Sequence, residues 1–131
     1  MRKLKGLIIM LFISLSLFGM TACSDGGANS YEQITPEQAK SIMDTESEYI
    51  IIDARTDEEF AEGHIENAIL IPEYEIADRA EKELPDKDAL ILVYCRSGRR
   101  SKIASEELVK LGYTNVKEFG GIIDWPYEIV K

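Results

Sequence analysis

The densest chemistry in the chain lies in Cys95-Arg96-Ser97-Gly98-Arg99-Arg100-Ser101. The segment follows Ala89 to Tyr94, a run with no polar group except the Tyr94 hydroxyl, and precedes a helical pattern. A loop leading from a strand into a helix aims backbone N–H groups at one point. That point lies at the positive end of the helix dipole and favours an anion. Gly98 lets the backbone curl tightly around it. Arg96, Arg99, Arg100 and Lys102 add four positive charges, and residues 89–105 contain no acid. A thiol placed there is expected to have a depressed pKa and to stand largely as thiolate, the nucleophilic form. The loop therefore reads as an anion-binding cradle with a nucleophile at its base. The plain alternative for Cys95 is a buried core cysteine; for the basic residues it is a solvated first turn of helix, most of all at Lys102.

Positioning this loop requires a strand before it and a helix after it, and the pattern supplies both. Ala89 to Tyr94 is apolar on both faces, which points to a strand buried in a parallel, helix-covered sheet. Ala104, Leu108 and Leu111 recur at spacings of four and three, and Gly112 ends the helix. Upstream, Thr35-Pro36-Glu37-Gln38 predicts a helix start: Thr35 caps, Pro36 fits the first position and Gln38 closes a capping box. Tyr49 to Ile52, Ala68 to Ile71 and Val116 to Phe119 read as further strands, with helices over Asp57 to Ala61 and Ile76 to Leu84. This alternation predicts an α/β fold, an open parallel sheet of about five strands with helices on both faces. Ligands of such sheets gather at the carboxyl ends of the strands, where Cys95 stands.

The chain has 131 residues, enough for one domain, with a net charge of −9. Removing residues 1–22, which hold Arg2, Lys3 and Lys5 and no acid, leaves −12. That balance argues against a nucleic-acid binder and against a polybasic membrane-surface protein. Met1 to Lys5 form a basic segment, Leu7 to Met20 an apolar stretch, and Thr21-Ala22-Cys23 a small-residue end: the three-part pattern of a secretory signal. The apolar stretch is short for a spanning helix, which needs about 20 residues. Residues 24–30, Ser-Asp-Gly-Gly-Ala-Asn-Ser, read as a flexible tether spanning roughly 15 Å.

Met20-Thr21-Ala22-Cys23 resembles the lipobox of bacterial lipoproteins, with Met20 where that family usually has Leu. The resemblance implies a signal peptide over 1–22, lipid attachment at Cys23 and an extracytoplasmic, membrane-anchored domain over 31–131. Cys95 would then be the only free thiol. The domain itself resembles a single-domain rhodanese. The loop Cys95 to Ser101 matches that family's active-site pattern. Asp53-Ala54-Arg55 with Glu58 and Phe60 resembles its Asp-x-Arg segment. Gly63-His64-Ile65-Glu66-Asn67-Ala68 with Ile71-Pro72, and Gly120-Gly121 followed by Trp125, resemble two more of its motifs.

The resemblance implies sulfurtransferase chemistry. Cys95 would attack the outer sulfur of thiosulfate or a similar donor, carry it as a persulfide and pass it to a thiol or cyanide. Arg96, Arg99 and Arg100 are the candidates to hold the anionic donor, with Ser97, Gly98 and Ser101 completing the cradle. No metal or organic cofactor is implied. His64, the only histidine, reads as structural rather than as partner to Cys95. Asp53 and Arg55 read as a strand-end pair shaping the pocket floor, and Trp125 as a wall. Two other functions stay open. One is a non-catalytic persulfide carrier serving an unidentified membrane or envelope partner. The other is a cysteine-based phosphatase or arsenate reductase, whose Cys-x5-Arg loop is one residue longer than the interval from Cys95 to Arg100.

Overall fold

The computed structural model describes residues 30–131. The expected signal segment, Cys23 and residues 24–29 of the tether lie outside the described residues. The described chain runs β1 (Glu32–Gln33), α1 (Pro36–Thr45), β2 (Ile50–Asp53), α2 (Asp57–Glu62), β3 (Ile69–Leu70), α3 (Ile76–Glu83), β4 (Ile91–Cys95), α4 (Arg99–Lys110) and β5 (Val116–Gly121). Short 3-10 turns occupy Glu73–Glu75 and Ile122–Asp124. Among the described residues no helix is long and apolar enough to cross a membrane.

The five strands form one sheet in the order β1-β5-β4-β2-β3, and every pairing is parallel. The central strand β4 is buried along its whole length, as its unbroken apolar sequence requires. Its side chains alternate between two cores. Ile91, Val93 and Cys95 join Ala104, Leu108, Ile76 and Ala80 beneath α3 and α4. Leu92 and Tyr94 join Ala39 of α1, Ile51, Ile65, Phe119 and Trp125 on the opposite face. Truncating a fully buried member such as Leu108 to Ala would cost about 2–5 kcal/mol.

Local signals fix the starts of the first two helices. In α1, Thr35 Oγ1 accepts from Gln38 N at 3.1 Å and Gln38 Oε1 accepts from Thr35 N at 2.9 Å, the reciprocal capping box. A second box, Thr56 with Glu59, starts α2. Most strand and helix ends differ from the sequence pattern by one or two residues, and the differences at two strands bear on the site. β4 begins at Ile91 rather than Ala89 and includes Cys95, and β5 extends through Gly120 and Gly121. Both differences bring the cysteine and the paired glycines into the sheet, where Cys95 lies in register with Gly121 across a local irregularity.

Candidate active site

Cys95 ends β4 with its side chain on the α3/α4 face and is 1% exposed. It is thus buried, but polar groups surround its sulfur. Gly98 N–H donates to Cys95 Sγ at 3.0 Å, and Ser101 Oγ lies 3.3 Å from it. Gly98 holds φ at +107°, a left-handed conformation that a Cβ would strain. α4 starts at the next residue, so the amide of its N-cap meets the sulfur at the positive end of the helix dipole. The loop predicted from the sequence therefore closes around Cys95 by backbone geometry.

The far wall of the loop is β5. A Cβ on Gly121 would lie 1.9 Å from Arg96 O, 2.3 Å from Arg96 C and 2.5 Å from Ser97 N. Only a residue without a side chain lets the loop backbone pass there. Arg96 O also accepts from Ile123 N at 3.2 Å. The Gly120-Gly121 motif thus acts as a seat for the cysteine loop.

The basic residues separate into two groups. Arg96 and Arg99 are exposed, and among the described residues their side chains make no hydrogen bond or ion pair. Arg100 is partly buried and bound in bidentate fashion by Glu59, with Nη1–Oε1 at 2.6 Å and Nη2–Oε2 at 2.9 Å. Glu59 is lowered to about 2, chiefly by the Arg100 hydrogen bond, with burial opposing and Thr56 assisting. The same bond raises Arg100. Ser97 is exposed and Ser101 is fully buried.

Asp53 and Arg55 form a buried pair at the end of β2, 0% and 5% exposed. Arg55 Nε and Nη2 reach both Asp53 oxygens at 2.7–3.1 Å, and Nη2 also donates to Gly63 O at 2.7 Å. Tyr94 Oη donates to Asp53 Oδ2 at 2.7 Å and accepts from Ile65 N at 3.0 Å. Burial raises the Tyr94 pKa, and the Asp53 charge raises it further. The pair ties β2, β4 and the Gly63–Ile65 turn together beside the site.

His64 and Trp125 stand apart from the sulfur. The His64 ring stacks on Phe60 at 3.7 Å and 6°, and its Nδ1 lies 2.9 Å from Phe60 O. Its backbone pairs with Val130. Trp125 packs against Phe119 and Tyr127 in the core beneath α1, on the face of the sheet opposite Cys95.

Three residues absent from the sequence prediction of the site enter it here: Glu59, Tyr94 and Glu118. Glu118 is 3% exposed, and its Oε1 accepts from Ser101 Oγ and Gly120 N, each at 2.7 Å. The two-residue period of β5 was the available signal, because it puts Glu118 on the same face as buried Val116. An acid at a core-facing strand position needs partners, and these are its partners.

A family model of the rhodanese-like domain matches residues 35–126. The chain belongs to the rhodanese-like domain family. Thiosulfate sulfurtransferase PspE of Escherichia coli is 41% identical over 80 residues, covering 61% of this chain and 77% of that protein. Adenylyltransferase and sulfurtransferase UBA4 of Candida albicans is 35% identical over 104 residues, 74% of this chain, but the chain spans only 24% of that relative's length. A structure of a rhodanese with anions from E. coli matches with a TM-score of 0.60 at 38% identity, over 63% of this chain and 98% of the other. The rhodanese-like sheet and its helices are therefore shared with solved relatives, and the named relatives are sulfurtransferases.

Proposed function

We propose that this rhodanese-like domain transfers a sulfane sulfur from thiosulfate or a similar anionic donor to a thiophilic acceptor through a persulfide on Cys95. The observation that carries the reading is the Gly98 N–H directed at Cys95 Sγ from 3.0 Å at the start of α4, with Arg96 and Arg99 exposed on the same loop. The arginines draw in the donor anion. The sulfur of Cys95 attacks the outer sulfur of thiosulfate and an S–S bond forms at Sγ. The donor's S–S bond breaks, and sulfite leaves with its electron pair. The negative charge then rests on the outer sulfur of the persulfide, facing the loop amides and the helix dipole. A thiol or cyanide removes that sulfur and Cys95 is regenerated. The related E. coli rhodanese was solved with anions, which supports an anion site in this domain.

The test incubates the protein beside Cys95→Ser with thiosulfate, records intact mass and then adds cyanide. One sulfur gained by the native protein alone, followed by thiocyanate release, is the expected result. Sulfur gain without release would favour the carrier function. Absence of sulfur gain with Cys95 reduced overturns thiosulfate as donor.

We further propose that the domain works outside the cytoplasm, tethered by a lipid on Cys23. The basic start, the apolar stretch from Leu7 to Met20 and Thr21-Ala22-Cys23 support this. Labelled fatty acid should enter the chain and be lost in Cys23→Ala; incorporation into that variant would overturn it.

A further inference from the structure

The environment of Cys95 contains opposing influences. Gly98 N–H and the start of α4 favour a negative sulfur. Behind the sulfur, Ser101 and Glu118 act the other way. Ser101 Oγ is fully buried and touches four acceptor-capable atoms: Glu118 Oε1 at 2.7 Å, Gly98 O at 3.0 Å, Gly120 O at 3.3 Å and Cys95 Sγ at 3.3 Å. A hydroxyl has one proton, whereas carboxylate and carbonyl oxygens only accept. The shortest contact is to Glu118 Oε1, which also accepts from Gly120 N at 2.7 Å and so stands as an acceptor, and bonds to a carboxylate are the stronger ones. The Ser101 proton therefore goes to Glu118. Ser101 then presents a lone pair to Sγ, which fits a thiol that donates its own proton and not a thiolate.

We propose that Glu118 is a positioning residue that, through Ser101, keeps the proton on the sulfur of resting Cys95. To ionise, the sulfur must lose its proton to solvent and compete with Glu118 for the Ser101 hydroxyl. Two anions then share one donor, which disfavours the second charge. Sulfur loading removes the competition. Once the S–S bond forms, the inner sulfur is neutral and the charge stands on the outer sulfur, one bond farther from Glu118. The resting thiol is correspondingly less open to oxidants, because the thiolate is the form that reacts. The loading step rests on the sulfurtransferase function; the proton assignment does not.

Other charges face this pair and are left in place by the test. Tyr31 lies near enough to Glu118 to feel its charge. Lys102 and Asp124 share with Glu118 the lining of a cavity of ≈ 340 Å³ beside the loop. Arg100 lies on the first turn of α4, paired with Glu59, and Asp53 and Arg55 pair at the end of β2.

The experiment measures the rate at which iodoacetamide alkylates Cys95 as a function of pH, read from the Cys95 peptide mass so that Cys23 does not contribute. Glu118→Gln keeps an acceptor for Ser101 and Gly120 but removes the charge. Its profile should move to lower pH by about one unit, a tenfold change in thiolate fraction at fixed pH. In a Ser101→Ala background the same substitution should move the profile far less. An unmoved profile overturns the proposal, and so does an equal shift in both backgrounds, which would mean a field effect without Ser101. A measurement on the unaltered protein needs no variant: the 13C carboxyl resonance of Glu118 should titrate with Cys95 and lose that step after alkylation. A resonance that ignores alkylation overturns the proposal. None of these readings uses a sulfur donor, so failure of thiosulfate to load Cys95 would sink the functional proposal and leave this result standing.

Discussion

Glu59 on α2 grips Arg100 on the first turn of α4 through two hydrogen bonds, at 2.6 and 2.9 Å. Both side chains are about one-fifth exposed, and the Glu59 carboxylate is also held by its own capping box with Thr56. The contact fastens the helix that carries the cysteine loop to the short helix after β2. It also occupies the guanidinium that follows Cys95 by five residues. Arg96 and Arg99 are left as the exposed cations of the loop.

This contact has a pH signature. Glu59 falls from its usual 4.5 to about 2 in the folded chain, first because of the Arg100 hydrogen bond. A depressed carboxylate contributes stability that is fully present above its unfolded value and is lost as pH falls through its folded value. Urea denaturation should therefore show this contribution intact at pH 7 and fading between about 4.5 and about 2. Glu59→Gln should lower stability at neutral pH by about 1 kcal/mol, since the pair is partly solvated, and should flatten that part of the acid profile. An acid profile unchanged in Glu59→Gln would show that the pair adds nothing.

If Arg96 and Arg99 receive the donor anion, their loss should raise KM rather than unfold the domain. Arg96→Ala and Arg99→Ala are each expected to weaken thiosulfate capture by about tenfold, or 1.4 kcal/mol. Thermal midpoints should stay near that of the native protein, because exposed substitutions usually fall within about 0.5 kcal/mol. Added salt should weaken the native protein toward the variants, as exposed charges are screened. Steady-state kinetics at two ionic strengths tests both statements; a KM equal to the native one in both variants would remove the arginines from donor binding.

Much of this arrangement was legible before the structure, for identifiable reasons. β4 declared itself because a strand buried on both faces has no room for polar residues. α1 declared itself because Thr35, Pro36 and Gln38 each satisfy a separate requirement of a helix start. β1 gave no signal: it is two exposed polar residues, Glu32 and Gln33, held to β5 by backbone pairing. The roles of Glu59, Tyr94 and Glu118 could not be read from spacing. Glu59 and Arg100 are 41 residues apart in sequence, as are Asp53 and Tyr94, and Ser101 and Glu118 are 17 apart. Such contacts exist only once the strand order is known. The same pattern that showed where the anion cradle begins could not show which arginine a distant carboxylate would occupy.

The Asp53–Arg55 pair should matter for stability more than for sulfur chemistry. It is almost wholly buried, and Asp53 accepts from Arg55 and Tyr94 while Arg55 reaches Gly63 O. Removing one member leaves the other charge buried without its partner. Asp53→Ala should therefore cost about 3–5 kcal/mol. Tyr94→Phe leaves the ion pair intact and removes one hydrogen bond, so its cost should be about 1–3 kcal/mol. Equal losses in chemical denaturation would mean that the charge pair is not the dominant element of the network.

Gly121 offers the sharpest separation of geometry from charge. An added methyl would stand 1.9 Å from Arg96 O and 2.5 Å from Ser97 N, both backbone atoms of the cysteine loop. Backbone cannot rotate aside as a side chain can, so β5 and the loop must part. Gly98 N–H, now 3.0 Å from Cys95 Sγ, moves with the loop. Overpacking of this kind costs about 1–3 kcal/mol, which a domain of this size can survive. The chemistry should suffer more, because misplacement by about 1 Å can cost about 100-fold in rate. Gly121→Ala should therefore fold, with a lowered melting temperature, and form persulfide about 100-fold more slowly. The alkylation profile of Cys95 should change as well, since the amide that faces the sulfur is displaced. A variant that folds and loads sulfur at the native rate would show that the seat formed by Gly121 does not set the position of the loop.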